Sequence, residues 1–329
     1  MNFFAVLLAL ICEQLKPLPH GNAVHQGVIS WVRWTGRNFD AGREHHAGVV
    51  WAITALGPAL LAAIIYLTVR HFSVLLALGL DVLVLYLTLG FRQFSHYFTD
   101  IRDALERGDE LEARRLLAEW RHLDASELPR TELLRHVIEH SLLAAHRHMF
   151  GVFFWFVLLS TLGLGPAGAI LYRMAEFASR YWAFKSRTID APTNERLMHL
   201  SRRCFGWVDY VPARLTATGF AIVGNFEEAV NVWRRDATLW MHPNEGIILA
   251  SAAGALGVQL GGSAAPGVTP DRSKTFEAGG DMDATRAEGS TPGDLPALGH
   301  LQSVVGLVWR SVVLWMLLLA LMTLANLVG

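Results

Sequence analysis

VVWAITALGPALLAAIIYLTV, residues Val49–Val69, runs for 21 residues without a charge and is closed by Arg70 and His71. About 20 apolar residues are enough to cross the hydrocarbon core of a bilayer. This stretch therefore decides the fold class, and others follow outward from it. Phe72–Phe91 reads as a second span, interrupted only by Asp81. Met149–Tyr172 is a third uncharged stretch and Ser311–Val328 a fourth. Phe3–Cys12 is shorter and ends at Glu13 and Lys16. It has neither the basic start nor the small-residue cleavage site of a signal peptide, so Met1–Cys12 is expected to be a short retained span. The expectation is an all-α, polytopic integral membrane protein with about 4–6 membrane segments.

Composition agrees. Hydrophobic residues make up 52% of the chain and charged ones 17%, below the roughly 25% usual for soluble proteins. A net charge of -1 offers no basic face for nucleic acid. The lipid bilayer is the partner this composition implies; a homo-oligomer or a membrane partner protein is left open. Cys12 and Cys204 cannot make a disulfide framework and show no metal-ligand spacing.

The third stretch contains Gly163-Leu-Gly165-Pro166-Ala-Gly168, which breaks a helix. Broken backbone at membrane depth is tolerated only where protein or a cavity covers it. The segment is either one kinked span or a re-entrant hairpin. Arginine-rich loops flank it on both sides (Arg130, Arg135, Arg147; then Arg173, Arg180, Lys185, Arg187). The positive-inside rule places both on the cytoplasmic side, which favours the hairpin. The same rule applies to Lys16, Arg33, Arg37 and Arg43, and to the nine arginines of Arg92–His148. Both loops then lie on the cytoplasmic face of a bacterial-type inner membrane, with the N-terminus outside.

Five segments result: membrane spans in 1–91, a cytoplasmic helical insert in 92–148, a broken-helix membrane core in 149–260, a linker in 261–300 and a C-terminal transmembrane helix in 301–329. In the insert, Gly108 stops one helix, Asp109 is a plausible N-cap for the next, and Pro129 stands near the start of a third. Gly261–His300 is rich in Gly, Ala, Pro, Asp and Thr and is expected to be disordered. Gly246–Leu260 is apolar and glycine-rich, and is read as either a span or a surface helix.

Several motifs invite chemistry. Gly163, Gly165 and Gly168 match the dinucleotide fingerprint in letters, but an apolar membrane stretch precedes them where a strand is needed. A membrane turn is the preferred reading. His136, Glu139 and His140 match the inverted zinc-protease pattern. Six of the 14 histidines lie in this insert, so a chance match is easy, and no metal site is assigned. Asp81 lies near the middle of a span, where an ionisable group is a functional-site hypothesis by default. Asp209-Tyr-Val-Pro-Ala-Arg214 flanks a proline with opposite charges at the mouth of an apolar segment. It suggests an anion site, or a snorkelling arginine with its counter-ion.

Gly108-Asp109-Glu-Leu-Glu-Ala113-Arg114-Arg115, then Asp124-Ala-Ser126-Glu-Leu128, Glu139, Phe154-Trp155 and Tyr210-Val-Pro-Ala-Arg-Leu215-Thr fall in an order that resembles the CbiB/CobD family over roughly residues 75–225. That family comprises membrane-embedded adenosylcobinamide-phosphate synthases, which join an aminopropanol arm to a corrin carboxylate through an amide. The resemblance points to Glu139, Asp124 and Ser126 as candidate catalytic residues. The ligand-binding candidates are Asp209 and Arg214 from the charges about the proline, Asp81 from its depth in a span, and Arg147. This chain also departs from the family pattern. Leu143, Ala144 and Arg147 stand where the family has a Glu-Asn-x-x-Asp block, and Met174–Arg180 replaces an Asn-Thr-Leu-Asp block. In these places the chain is similar to the AmpE group, membrane proteins tied to β-lactamase regulation. Arg180-Tyr-Trp182 and Leu7–Leu15 resemble that group too.

Two functions follow. The first, ahead of the second, is a degenerate AmpE-like regulatory or signalling membrane protein. The second is an active adenosylcobinamide-phosphate synthase. No resident cofactor is expected; a corrinoid substrate, and a divalent metal beside it, belong only to the second reading. A transporter built on Asp81 and the broken helix lacks the repeat pair such folds carry.

Overall fold

The computed structural model describes residues 2–16, 23–39, 44–121, 124–186, 195–262 and 289–328. Among them the regular structure is entirely helical, with only isolated β-bridges besides. By internal contacts the chain forms two compact units. One comprises Met1–Arg92, Arg147–Tyr210 and Leu319–Gly329; the other comprises Gln93–His146 and Val211–Leu318.

Three helical runs are long and apolar enough to cross a membrane: His46–Phe72, Arg130–Thr161 and Leu298–Ala325. Two shorter apolar helices accompany them, α1 (Asn2–Leu15) and α4 (Val74–Thr88). The protein is a polytopic α-helical membrane protein. How side chains are distributed supports this. In α3 (Glu44–Phe72) the inward residues are mostly small, Ala55, Ala59 and Ala63, while Leu60 and Ile64 are 62% and 61% exposed. Helix α1 repeats the pattern, with Ala5 and Ala9 inside and Phe4, Leu8 and Ile11 outside. Membrane helices pack through small residues because lipid, not water, surrounds the large ones.

α3 has 29 residues, roughly 43 Å at 1.5 Å per residue, and carries Pro58 in its interior. Proline has no N–H, so the Thr54 carbonyl four residues earlier loses its helical partner. Trp31 of α2 (Ala23–Phe39) donates its indole N–H to that carbonyl at 3.3 Å. The Thr54 and Thr35 hydroxyls, 2.7 Å apart, add a second link. Ser73 caps α4, and Ala77, Asp81 and Leu85 form its buried stripe. The observed α4 is thus shorter than the Phe72–Phe91 span read from sequence.

The largest difference from the sequence reading is a continuous helical run. α7 (Arg130–Ala145) passes through a five-residue π-helical turn, His146–Phe150, into α8 (Gly151–Thr161). No proline interrupts Arg130–Thr161, so the helix continues past the boundary drawn at His148. After Thr161 the chain turns and returns as α9 (Ala167–Ser186), which packs on α8. The glycine-rich motif is therefore the tip of a helical hairpin. Gly163 and Gly165 take positive φ of 82° and 57°, and a Cβ on Gly168 would run into the Trp155 carbonyl. The glycines serve the turn and the helix crossing.

The other polar parts are also helical. α5 (Phe91–Glu106) ends at Gly108, with φ of 79°, and Asp109 caps α6 (Glu110–Arg121) by accepting the Glu112 N–H at 3.0 Å. α10 (Glu195–Val208) and α11 (Tyr210–Val223) flank Asp209. α12 (Phe226–Asp236) packs on α13 (Pro243–Leu256), whose Gly246–Gly254 stretch is buried in its own unit. That answers the question left by Gly246–Leu260: most of it is a core helix. The two ends of the glycine- and proline-rich stretch are paired. Bridges join Val258 to Asp294 and Gly261 to Ser290. Its middle, 263–288, lies outside the described residues, as do Arg43 and Arg187. α14 (Leu298–Val328) covers the C-terminal helix expected in 301–329 and extends upstream of its uncharged Ser311–Val328 stretch.

Candidate functional site

The first polar cluster lies in the unit that holds the hairpin. The π-helical turn brings Arg147 to α9, where it acts on Tyr172, Arg173 and Glu176. Tyr172 is fully buried, and its hydroxyl donates to Asp209 Oδ1 at 2.8 Å. Gly151 makes this possible, since a Cβ there would strike the Tyr172 ring. Glu176 is buried and holds Arg173 Nη1 at 3.0 Å and Arg180 Nη2 at 3.3 Å, with Arg180 Nε also in contact. Burial by itself would push the Glu176 carboxyl up, but Arg180, Arg173 and Arg147 together hold it below its ordinary value. Trp155 donates to the Val208 carbonyl at 2.9 Å. Pro212, four residues on, has no N–H to offer that carbonyl. One hydrogen bond therefore joins the Phe154-Trp155 pair to the end of α10, where the Pro-Ala-Arg block is about to begin.

The second cluster lies in the other unit, on α7. Glu139 is buried and accepts the Gly261 N–H at 2.8 Å. Arg135 contacts the Gly261 carbonyl and Glu132. Arg121 Nη1 lies 2.8 Å from His136 Nδ1. A guanidinium can only donate, so Nδ1 accepts and Nε2 carries the ring proton. That arrangement occupies one histidine of the zinc-like pattern, and His140 meets Trp120 edge-on at 4.4 Å. Among the described residues no group of three or more His, Cys, Asp or Glu could hold a metal ion.

The candidates read from the sequence are divided between the two units. Asp209 and Arg147 meet in the first cluster through Tyr172. Glu139 belongs to the second. Arg214, in the same unit as Glu139, donates to Asn244 Oδ1 at 3.3 Å. Asp124 accepts the Ser126 N–H at 3.0 Å and its hydroxyl at 2.7 Å, an exposed turn leading to α7. Asp81 is buried inside α4 with Oδ1 unpartnered among the described residues. Sequence reasoning missed Tyr172, Glu176, Arg121 and His136 as site members. The spacing of Arg173, Glu176 and Arg180 is visible in the sequence, and its helical periodicity is the signal that could have found them.

Comparison with known proteins gives a consistent picture. The model of the CobD/CbiB protein family matches residues 2–287. A relative from Stutzerimonas stutzeri, named "Cobalamin biosynthesis protein CobD", is 31% identical over 326 residues, covering 96% of each chain. A protein of the same name from Chromobacterium violaceum is 35% identical over 198 residues, 58% of each chain. One from Leptospira interrogans is 26% identical over 267 residues, 78% of this chain and 80% of its own. No solved structure matches. With the match running through both polar clusters, the chain belongs to the CobD/CbiB family.

Proposed function

We propose that the protein is an active adenosylcobinamide-phosphate synthase of the bacterial inner membrane, forming the amide between a corrinoid carboxylate and an aminopropanol arm. The observation that carries this is the end-to-end match to a relative named for cobalamin biosynthesis, at 96% coverage of both chains. The regulatory reading, favoured on sequence, rested on the polar blocks replaced at Leu143, Ala144 and Met174–Arg180, and it draws no support from the relatives. Part of that loss is made good locally: Glu176 returns a carboxylate to the second block, ion-paired with Arg173 and Arg180.

Joining a carboxylate to an amine expels one carboxylate oxygen, so the carboxyl must first be activated by a phosphoryl donor such as a nucleoside triphosphate, and the oxygen leaves as phosphate. The protein's own share is to hold the anionic substrate still and to relieve the amine of its extra proton. The guanidiniums around Glu176 suit the first task. Asp209, buried in the same unit and accepting the Tyr172 hydroxyl, is the candidate for the second, and Glu139 is retained as a catalytic candidate on the family resemblance. The test is complementation of a strain that lacks the synthase. The intact chain should restore cobalamin production, and Glu139→Ala or Asp209→Ala should each reduce it while the protein still reaches the membrane. A well-expressed chain that restores nothing sinks the enzyme reading, as does full activity in both variants.

A further inference from the structure

From Arg196 to Val208, α10 carries no Asp or Glu, and its side chains divide between two faces. Leu197 and Ser201 are buried, and α10 packs on α9 and on the apolar α3. His199, Arg203 and Trp207 follow one another at intervals of four, so they form one row along the helix. All three are exposed. Trp207 stands out, at 68% exposed. Tryptophan is enriched where a membrane meets water, because its ring is apolar while its N–H seeks an acceptor.

Arg203 lies over the Trp207 ring, 5.3 Å from its centroid. The ring attracts the cation without accepting a conventional hydrogen bond, so the guanidinium keeps its N–H donors for another partner. Among the described residues no carboxylate or carbonyl takes them. The planar fork of these donors matches two oxygens of a phosphodiester, and the charges are opposite. His199, one turn away, adds a ring N–H. Two features choose a lipid over a soluble anion. The row ends on an exposed indole, which a soluble phosphate would leave in water. The row is also carried on a helix packed against α3, which is long and apolar enough to cross the bilayer.

We propose that His199, Arg203 and Trp207 form a binding site on α10 for the headgroup of an anionic phospholipid. Arg203 meets the phosphate, and the Trp207 ring rests at the boundary with the acyl chains. The proposal concerns a lipid contact alone, so it stands or falls separately from the synthase reading.

The experiment uses the full chain in a neutral detergent, titrated with phosphatidylglycerol or with phosphatidylcholine, whose choline cation offsets the same phosphate. Native mass spectrometry counts the bound lipid. Phosphatidylglycerol should bind more tightly, and Arg203→Gln should weaken it by about fivefold while leaving phosphatidylcholine unchanged. Because Arg203 is exposed, the lipid-free variant should unfold at the parent's temperature. Trp207→Ala should weaken both lipids, since the seat of the ring does not depend on headgroup charge. Arg107→Gln, at an equally exposed arginine near Glu112, should alter neither. Inorganic phosphate, compared with chloride at matched ionic strength, should not displace the lipid. Equal affinity for the two lipids overturns the proposal, as does a phosphatidylglycerol preference that survives Arg203→Gln or is lost equally in Arg107→Gln. Binding indifferent to Trp207→Ala, or displacement by inorganic phosphate, overturns it as well.

Discussion

Trp31 and Trp155 do the same work at two different prolines. Pro58 leaves the Thr54 carbonyl without its helical donor, and Pro212 leaves that of Val208; in each case an indole N–H from a neighbouring helix takes the place. Indole can give this bond and phenyl cannot. Trp155→Phe should therefore lower stability by about 1–3 kcal/mol through an unsatisfied carbonyl, measured by thermal unfolding in detergent; a variant as stable as the parent contradicts the assignment. Glu176 offers a second prediction at this scale. Its carboxyl is held below its ordinary 4.5, so its contribution to stability is present above that value and disappears as the pH falls through the lower, folded value. In Glu176→Gln this part of the acid-side loss should be missing. If the two proteins lose stability in parallel on acidification, the ion-pair account of Glu176 fails. The sequence displays both tryptophans and both prolines, yet not their pairing, which is made only when separate helices come together.

Among the elements, the hairpin of α8 and α9 is the most legible in the sequence. Gly163, Gly165, Pro166 and Gly168 announce a break in an apolar run, and the chain turns there. The continuity of α7 with α8 is not legible. Charge density suggests a boundary near His148, but a run of helix-compatible residues needs no break, and the π-helical turn absorbs the irregularity. Asp109 as a cap is readable because capping depends on near neighbours alone. The pairing of Gly261 with Ser290 is not, because it joins the two ends of a stretch whose composition looks unstructured. The close approach at Gly151 has a direct test. Gly151→Ala puts a methyl against the Tyr172 ring and should cost about 1–3 kcal/mol as overpacking. Gly48→Ala in α3, with nothing within 4 Å of the added carbon, should be neutral or slightly stabilising. Equal effects from the two substitutions, compared by thermal unfolding, would count against the packing described for α9.

At the scale of the whole molecule, the membrane class follows from Val49–Val69 and its companions, because length and apolarity alone decide whether a helix can span. The two compact units are not visible in the linear segments, since each gathers stretches far apart in sequence. For the same reason the candidate residues are divided between the two units. It also explains why the motif losses at Leu143 and Ala144, read along the chain alone, weigh too heavily toward a regulatory function. Only the folded chain sets Glu176 and Tyr172 in one cluster with Asp209. We propose amide formation on a corrinoid as the reaction of this chain. Mass spectrometry of the corrinoid pool in a synthase-lacking strain carrying this chain tests it most directly. The corrinoid acid should be depleted and its aminopropanol amide should appear. Accumulation of the unamidated acid, with the protein abundant in the membrane, would contradict it.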